Sequence, residues 1–186
     1  MSLVRKLETA IQTYQPDVES LFGVKLGKIK LEPISFEHLR KWHVAHRNIR
    51  NANQLYDNTL KEYISLSKKF IKHHTTSIAF VERDEKEQRI YYSRNPLMHL
   101  LPYFLVEHTG IHEMAHLAHR TISGLLCFYP KKYIEGLANY AADEILIKRG
   151  EMPFFPENHA GYARLIGSKS IREFNYSVFE RIVSTL

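Results

Sequence analysis

The stretch that most constrains this chain is His112-Glu113-Met114-Ala115-His116, set within residues that read as one helix from about Tyr103 to Ser123. Residues four apart on an α-helix lie about 40° apart around the axis and about 6 Å along it. His112 and His116 therefore present their imidazoles from one face and can grip a single Zn²⁺. Glu113 follows about 100° round, where it reaches a water beside the metal rather than the metal. Two neutral imidazoles with a carboxylate beside a polarised water are the equipment of metal-assisted hydrolysis. The helix carries two further histidines on the same side, His108 and His119. Only the His112/His116 pair has a Glu directly after its first member. His108 and His119 read as polar groups satisfied within the packing, with support of the metal ligands as the alternative. The opposite face, Val106, Gly110, Met114, Leu117 and Thr121, suits burial in a core.

A third ligand has to come from another element. The metzincin pattern would need Gly at position 119 and His at position 122, and the chain has His119 and Ile122. The next candidate is Glu135, separated from His116 by eighteen residues. That gap leaves room for a helix end, a loop and the first turn of another helix. Pro130 opens that second helix over Lys131 to Arg149 and Gly150 stops it. Glu135, Asn139, Ala142 and Leu146 share one of its faces, and small Ala138 and Ala142 permit close approach to the motif helix. Asn139, one turn beyond Glu135, is placed to orient a metal-bound histidine.

With His-Glu-Met-Ala-His at 112–116 and Glu-Gly-Leu-Ala-Asn-Tyr at 135–140, the chain resembles the gluzincin metallopeptidases, and its element order is similar to the small scaffolds called minigluzincins. The resemblance covers about residues 75–150. It implies a zincin-like α+β fold: a small antiparallel or mixed sheet of about three strands, a backing helix, an active-site helix and a glutamate helix. It implies Zn²⁺ on His112, His116 and Glu135, Glu113 as general base, and a peptide or protein substrate. The Gly-x-Met-Glu-Asn segment with which aminopeptidases of that group hold a free amino terminus does not occur. Tyr140, His159, Tyr162 and Tyr176 are the candidates for stabilising an oxyanion. The rival readings are a zinc-binding or regulatory protein with a closed cleft, and a protease acting on proteins bound to nucleic acid.

The rest of the chain sets the frame. At 186 residues and 44% hydrophobic, one domain with a real core is expected, with sub-domains over about 1–123 and 124–186. The net charge of +6 is spread in short pairs such as Lys68-Lys69 and Lys131-Lys132, which reads as a solvated basic surface and disfavours a nucleic-acid partner. Cys127 is the only cysteine, so neither an internal disulfide nor a cysteine zinc site can form. The N-terminus lacks the apolar run of a signal peptide, no stretch approaches the ~18–20 apolar residues of a membrane span, and a cytoplasmic protein is expected. Composition leaves the oligomeric state open.

Helical spacing covers residues 2–13 and breaks at Pro16-Asp17, with a short turn over Val18 to Phe22. Val24 to Leu31 alternates like a half-buried strand, ended by Pro33. A long helix follows from Ser35 to about Lys72, with Leu39, Trp42, Ile49, Leu60, Ile64 and Phe70 as its core stripe. Thr75 to Glu82 and Arg89 to Arg94 read as a hairpin around a charged turn; its second strand is the expected upper rim of a cleft, where an extended peptide would add. Short helices are predicted over 159–167 and 171–183, the second opened by a Ser170-x-x-Glu173 capping box. Between them and the glutamate helix, Met152-Pro153-Phe154-Phe155, with Glu157 and His159 behind, has two readings. It folds back over the cleft and meets the metal, or it completes the domain, with Phe174, Val178 and Ile182 packed on the helix of 131–149.

Overall fold

The computed structural model describes residues 1–35, 78–81, 87–124 and 129–184, with the side chains of 182 and 183 excepted. The long helix predicted from Ser35 to Lys72, the charged turn at 84–86, Cys127 and the packing of Ile182 lie outside the described residues. Within them the chain is α+β, with five α-helices and a three-stranded mixed sheet.

Helix α1 spans Leu3–Phe22, with the Ser2 hydroxyl accepting from the Arg5 N–H at its start and Gly23 ending it in the left-handed region at φ 65°. It runs straight through Pro16, where the sequence suggested a break. The missing Pro16 N–H and the Gln12 carbonyl it would have served both sit on exposed residues, where water can take that place. Pro inside a helix costs about 3 kcal/mol. Continuing the helix buries Val18 and Phe22 completely or nearly so, each worth roughly 1.5–3 kcal/mol. The apolar stripe Leu3, Leu7, Ala10, Ile11, Tyr14, Val18, Phe22 stays in phase across the proline, and burial outweighs the lost bond.

Strand β1 is Lys30–Pro33, later than the alternating pattern of 24–31 suggested. Residues 24–27 are instead fastened to the end of α1. The Leu26 N–H donates to Glu19 Oε1 at 3.0 Å and Gln15 Nε2 donates to the Gly27 carbonyl at 2.7 Å. Their ladder groups are spent before a sheet can use them. Pro33 lies inside β1 rather than after it. The N–H groups of Lys30 and Ile34 donate to β3 and its flank, so the odd-numbered Pro33 nitrogen faces away, where a missing donor costs no ladder bond.

Strands β2 (Ala79–Phe80) and β3 (Arg89–Tyr92) form the expected antiparallel hairpin in shortened form. β1 joins β3 from the other side in parallel, Leu31 opposite Ile90, giving the order β1-β3-β2. After a 3₁₀ turn over Pro96–Leu100 come α2 (Tyr103–Ser123), α3 (Lys131–Lys148), α4 (Pro156–Ile166) and α5 (Ile171–Ser184). The bounds of α2 and α3 match the sequence reading within a residue. α4 starts three residues earlier than predicted because Pro156 serves as its first residue. The capping box forms as expected: the Glu173 N–H donates to Ser170 Oγ at 3.2 Å and the Ser170 N–H to Glu173 Oε2 at 2.8 Å.

The core lies where α1 crosses α2 and α2 meets α3. A Cβ on Gly110 would stand 3.1 Å from Ala10 Cβ, so the absence of a side chain there lets α1 seat closely. Val106, Met114 and Leu117 are fully buried on this face. Thr121, assigned to the same face, is exposed, and its hydroxyl accepts from Gln88 Nε2 and donates to the Leu117 carbonyl. Among the described residues, no helix is long and apolar enough to cross a membrane.

Candidate metal centre

The face of α2 opposite α1 carries the histidines, and α3 lies beside it. His112, His116 and Glu135 converge there, each offering one ligand atom within 4.8 Å of the others. The two Nε2 atoms are 3.0 Å apart, and Glu135 Oε2 is 3.4 Å from His112 Nε2 and 3.7 Å from His116 Nε2. Tetrahedral zinc with bonds of about 2.0–2.1 Å separates its ligand atoms by roughly 3.3 Å. The triangle therefore has the size of one face of a zinc coordination shell, built from the donor types zinc takes. The imidazole side is closed and the carboxylate side is open: the His116 side chain is 9% exposed and that of Glu135 46%. Among the described residues, an approach for a fourth ligand is left on the Glu135 side.

The electrostatics agree with a cation-ready cluster. The neighbouring His112 and then His116 imidazoles hold the Glu135 carboxyl far below the usual carboxylate range. Burial pulls the His112 imidazole down, but hydrogen bonding to Glu135, the nearby Glu113 charge and a hydrogen bond with Asn139 outweigh it, and the net shift is upward. Asn139, one turn beyond Glu135 on α3, is thus among the groups that act on the His112 imidazole.

Glu113 is not among the three converging groups. One carboxylate oxygen accepts the Val81 N–H from beyond β2. The other, Oε2, is buried without a hydrogen-bond partner among the described residues. Burial pushes its pKa up to about 7. A carboxylate that titrates near neutral pH, beside a candidate metal site, is matched to taking and giving back a proton.

His108 and His119 stand outside the triangle. His108 Nε2 lies 3.4 Å from Asp143 Oδ1, and Phe154 and Phe155 flank its ring with centroids 4.6 and 5.5 Å away. Burial, then the His112 charge, lowers its pKa to about 4. Asp143 is fully buried and accepts the Phe154 and Phe155 N–H groups at 2.7 and 2.8 Å. The segment after α3 is pinned there by its backbone. His159 pairs with Glu144 at 2.9 Å, away from the triangle, and no side chain of 151–162 joins the metal group. No side chain of this segment meets the metal group as the fold-back reading expected; its Phe154 and Phe155 pack on His108 instead. The completing role has geometric support: Phe174 is buried, and Val178 packs against Tyr129 and Ile134.

Two other expectations change. The strand Arg89–Tyr92 is the middle of the sheet, paired on both sides, so it offers no edge to a peptide. And two of the oxyanion candidates, Tyr162 and His159, hydrogen-bond elsewhere. The Tyr162 hydroxyl donates to the Tyr133 carbonyl at 3.0 Å, Tyr140 stacks on the His159 ring, and Tyr176 lines a cavity of about 300 Å³ beside Asn175 and Phe179. Residues that the sequence did not single out, Val81, Asp143, Asn158 and Asn175, make the polar contacts around the site. Their partners lie eleven to fifty-six positions away in the chain, where no periodicity announces them.

Compared with models of known protein families, with curated proteins and with solved structures, the chain gives no match in any of the three.

Proposed function

We propose that the chain is a zinc-dependent peptidase of gluzincin type with a zincin-like fold. The observation that carries this reading is the triangle of His112, His116 and Glu135 ligand atoms with the half-satisfied carboxylate of Glu113 beside it. Zinc held by these three residues supplies a Lewis acid that polarises a carbonyl and makes water acidic near neutral pH. Glu113 takes the proton of the attacking water on its unpartnered oxygen and delivers it to the leaving amine. Asn139 holds the His112 ring in its ligating orientation. With β3 paired on both sides, an extended peptide adds beside β2, whose neighbour Val81 already directs its N–H at Glu113.

The commitment of Tyr162 and His159 to other partners favours one rival, a zinc-binding protein without peptidase activity. Zinc content separates the shared part of the two readings from chance. Wild type should hold about one equivalent, and His116→Ala and Glu135→Ala should each lose tight binding. A full equivalent of tightly held zinc in both variants would remove the assignment. Digestion of a peptide library by the zinc-loaded chain then decides between peptidase and binding protein.

A further inference from the structure

Glu135 is the fifth residue of α3, one turn in from its start. Pro130 begins this helix without any side-chain cap. What steadies its opening turns comes from α4 and α5. The Tyr162 hydroxyl donates to the Tyr133 carbonyl and Asn158 Nδ2 to the Gly136 carbonyl, each at 3.0 Å. These two carbonyls flank Glu135. The Tyr162 ring lies so close over Gly136 that a Cβ there would stand 2.5 Å from the hydroxyl oxygen. The glycine after Glu135 is therefore required by the tyrosine above it.

A second tie runs to α2. The Tyr133 hydroxyl donates to Asn175 Oδ1 at 2.9 Å, and the same oxygen lies 2.7 Å from His119 Nε2. Asn175 Nδ2 donates to Ser123 Oγ at 2.6 Å and to Tyr129 Oη at 3.2 Å. All four hydrogen-bonding positions of this amide are used, and the residue is 2% exposed. With the proton on Nε2, the His119 ring donates to this oxygen. One side chain from α5 thus joins the end of the helix bearing His112 and His116 to the start of the helix bearing Glu135.

We infer that Asn158, Tyr162 and Asn175 are positioning residues for the metal group: the two C-terminal helices, which carry no ligand, set where Glu135 stands relative to the two histidines. This rests on the zinc reading above. Metal–ligand distances tolerate only about ±0.2 Å, and a half-exposed carboxylate near a helix start without a side-chain cap does not hold such a position unaided.

Zinc affinity by chelator competition, and the visible absorption of the cobalt-substituted protein, test it in Asn158→Ala and Tyr162→Phe. Arg149→Ala, which breaks the pair with Asp17 at the far end of α3, controls for general loss of stability. Both test variants should bind zinc roughly 10–100-fold more weakly and alter the cobalt spectrum, whereas Arg149→Ala should change neither beyond what its melting temperature accounts for. Wild-type affinity and spectrum in both test variants would overturn the positioning role and leave the metal reading standing. A wild type that takes up no zinc overturns both. If Asn158→Ala does not fold, Tyr162→Phe, which lacks a single oxygen, carries the test.

Discussion

Glu19 and Glu113 are buried to nearly the same depth, 9% and 6% exposed, and the fold treats them in opposite ways. Glu19 accepts from Gln15, Lys25 and the Leu26 N–H, and those bonds bring its pKa down to about 2. Glu113 accepts one backbone N–H, keeps its other oxygen without a partner among the described residues, and is pushed up to about 7. At similar surface exposure the outcome turns on the balance: burial dominates at Glu113, while at Glu19 three facing donors outweigh it. The donor-rich group staples a loop to a helix. The donor-poor one sits beside the candidate metal centre, where a carboxylate that can hold a proton has a use.

The sharpest way to break this contrast is Glu113→Gln, which keeps size and shape but cannot accept a proton. Hydrolysis by the zinc-loaded chain should fall by about 10² or more with zinc content unchanged, and the melting temperature should not drop, because no satisfied interaction is lost. Full hydrolysis in this variant would show that the missing partner of Glu113 has no chemical meaning.

Next in size is Glu19→Ala. It strips the acceptor from three donors and leaves the Leu26 N–H buried and unmatched, so unfolding in urea should show a loss of about 1–3 kcal/mol. An unchanged midpoint would mean that residues 24–27 hold to α1 without it.

The smallest effect is the pH dependence of that same staple. The Glu19 pKa is lowered in the folded protein, so its contribution is fully present above the ordinary carboxylate value of 4.5 and fades as pH falls toward about 2. The stability difference between wild type and Glu19→Ala should therefore be constant around neutrality and shrink through the acid range. A difference that stays constant down to the acid limit would deny the staple its ionic character.

How far the sequence could be read follows from the range over which each signal acts. The His112/His116 pair rests on helical geometry across four residues, and Asn139 and Glu135 on one turn of the next helix. Pro130, Gly150 and the Ser170/Glu173 box act within a turn of the ends they set. All of these were legible. The run of α1 through Pro16 was not, because a local breaker is outweighed by burial of Val18 and Phe22 against distant elements. The late start of β1 was hidden because Glu19, five to seven residues upstream, takes the Val24 and Leu26 N–H groups that a strand would need. The central place of β3 depends on a parallel partner fifty-nine residues away. The roles of Asn158, Tyr162 and Asn175 were invisible for a related reason: an amide or hydroxyl shows its partner only once the helices are in place.

The crossing of α1 and α2 at Ala10 and Gly110 has a consequence during synthesis. A ribosome adds roughly 5–20 residues per second, so the hundred residues between these two positions take about 5–20 s. For the later part of that interval the apolar stripe of α1 is outside the tunnel while α2, which packs on it, does not yet exist. Leu3, Leu7, Ile11 and Phe22 are then a sticky surface on a nascent chain, of the kind that holding chaperones bind. Arrested chains ending shortly before Gly110 should be captured by such a factor, and chains extended past α3 should be released. Equal capture of both would mean that α1 finds shelter before α2 emerges.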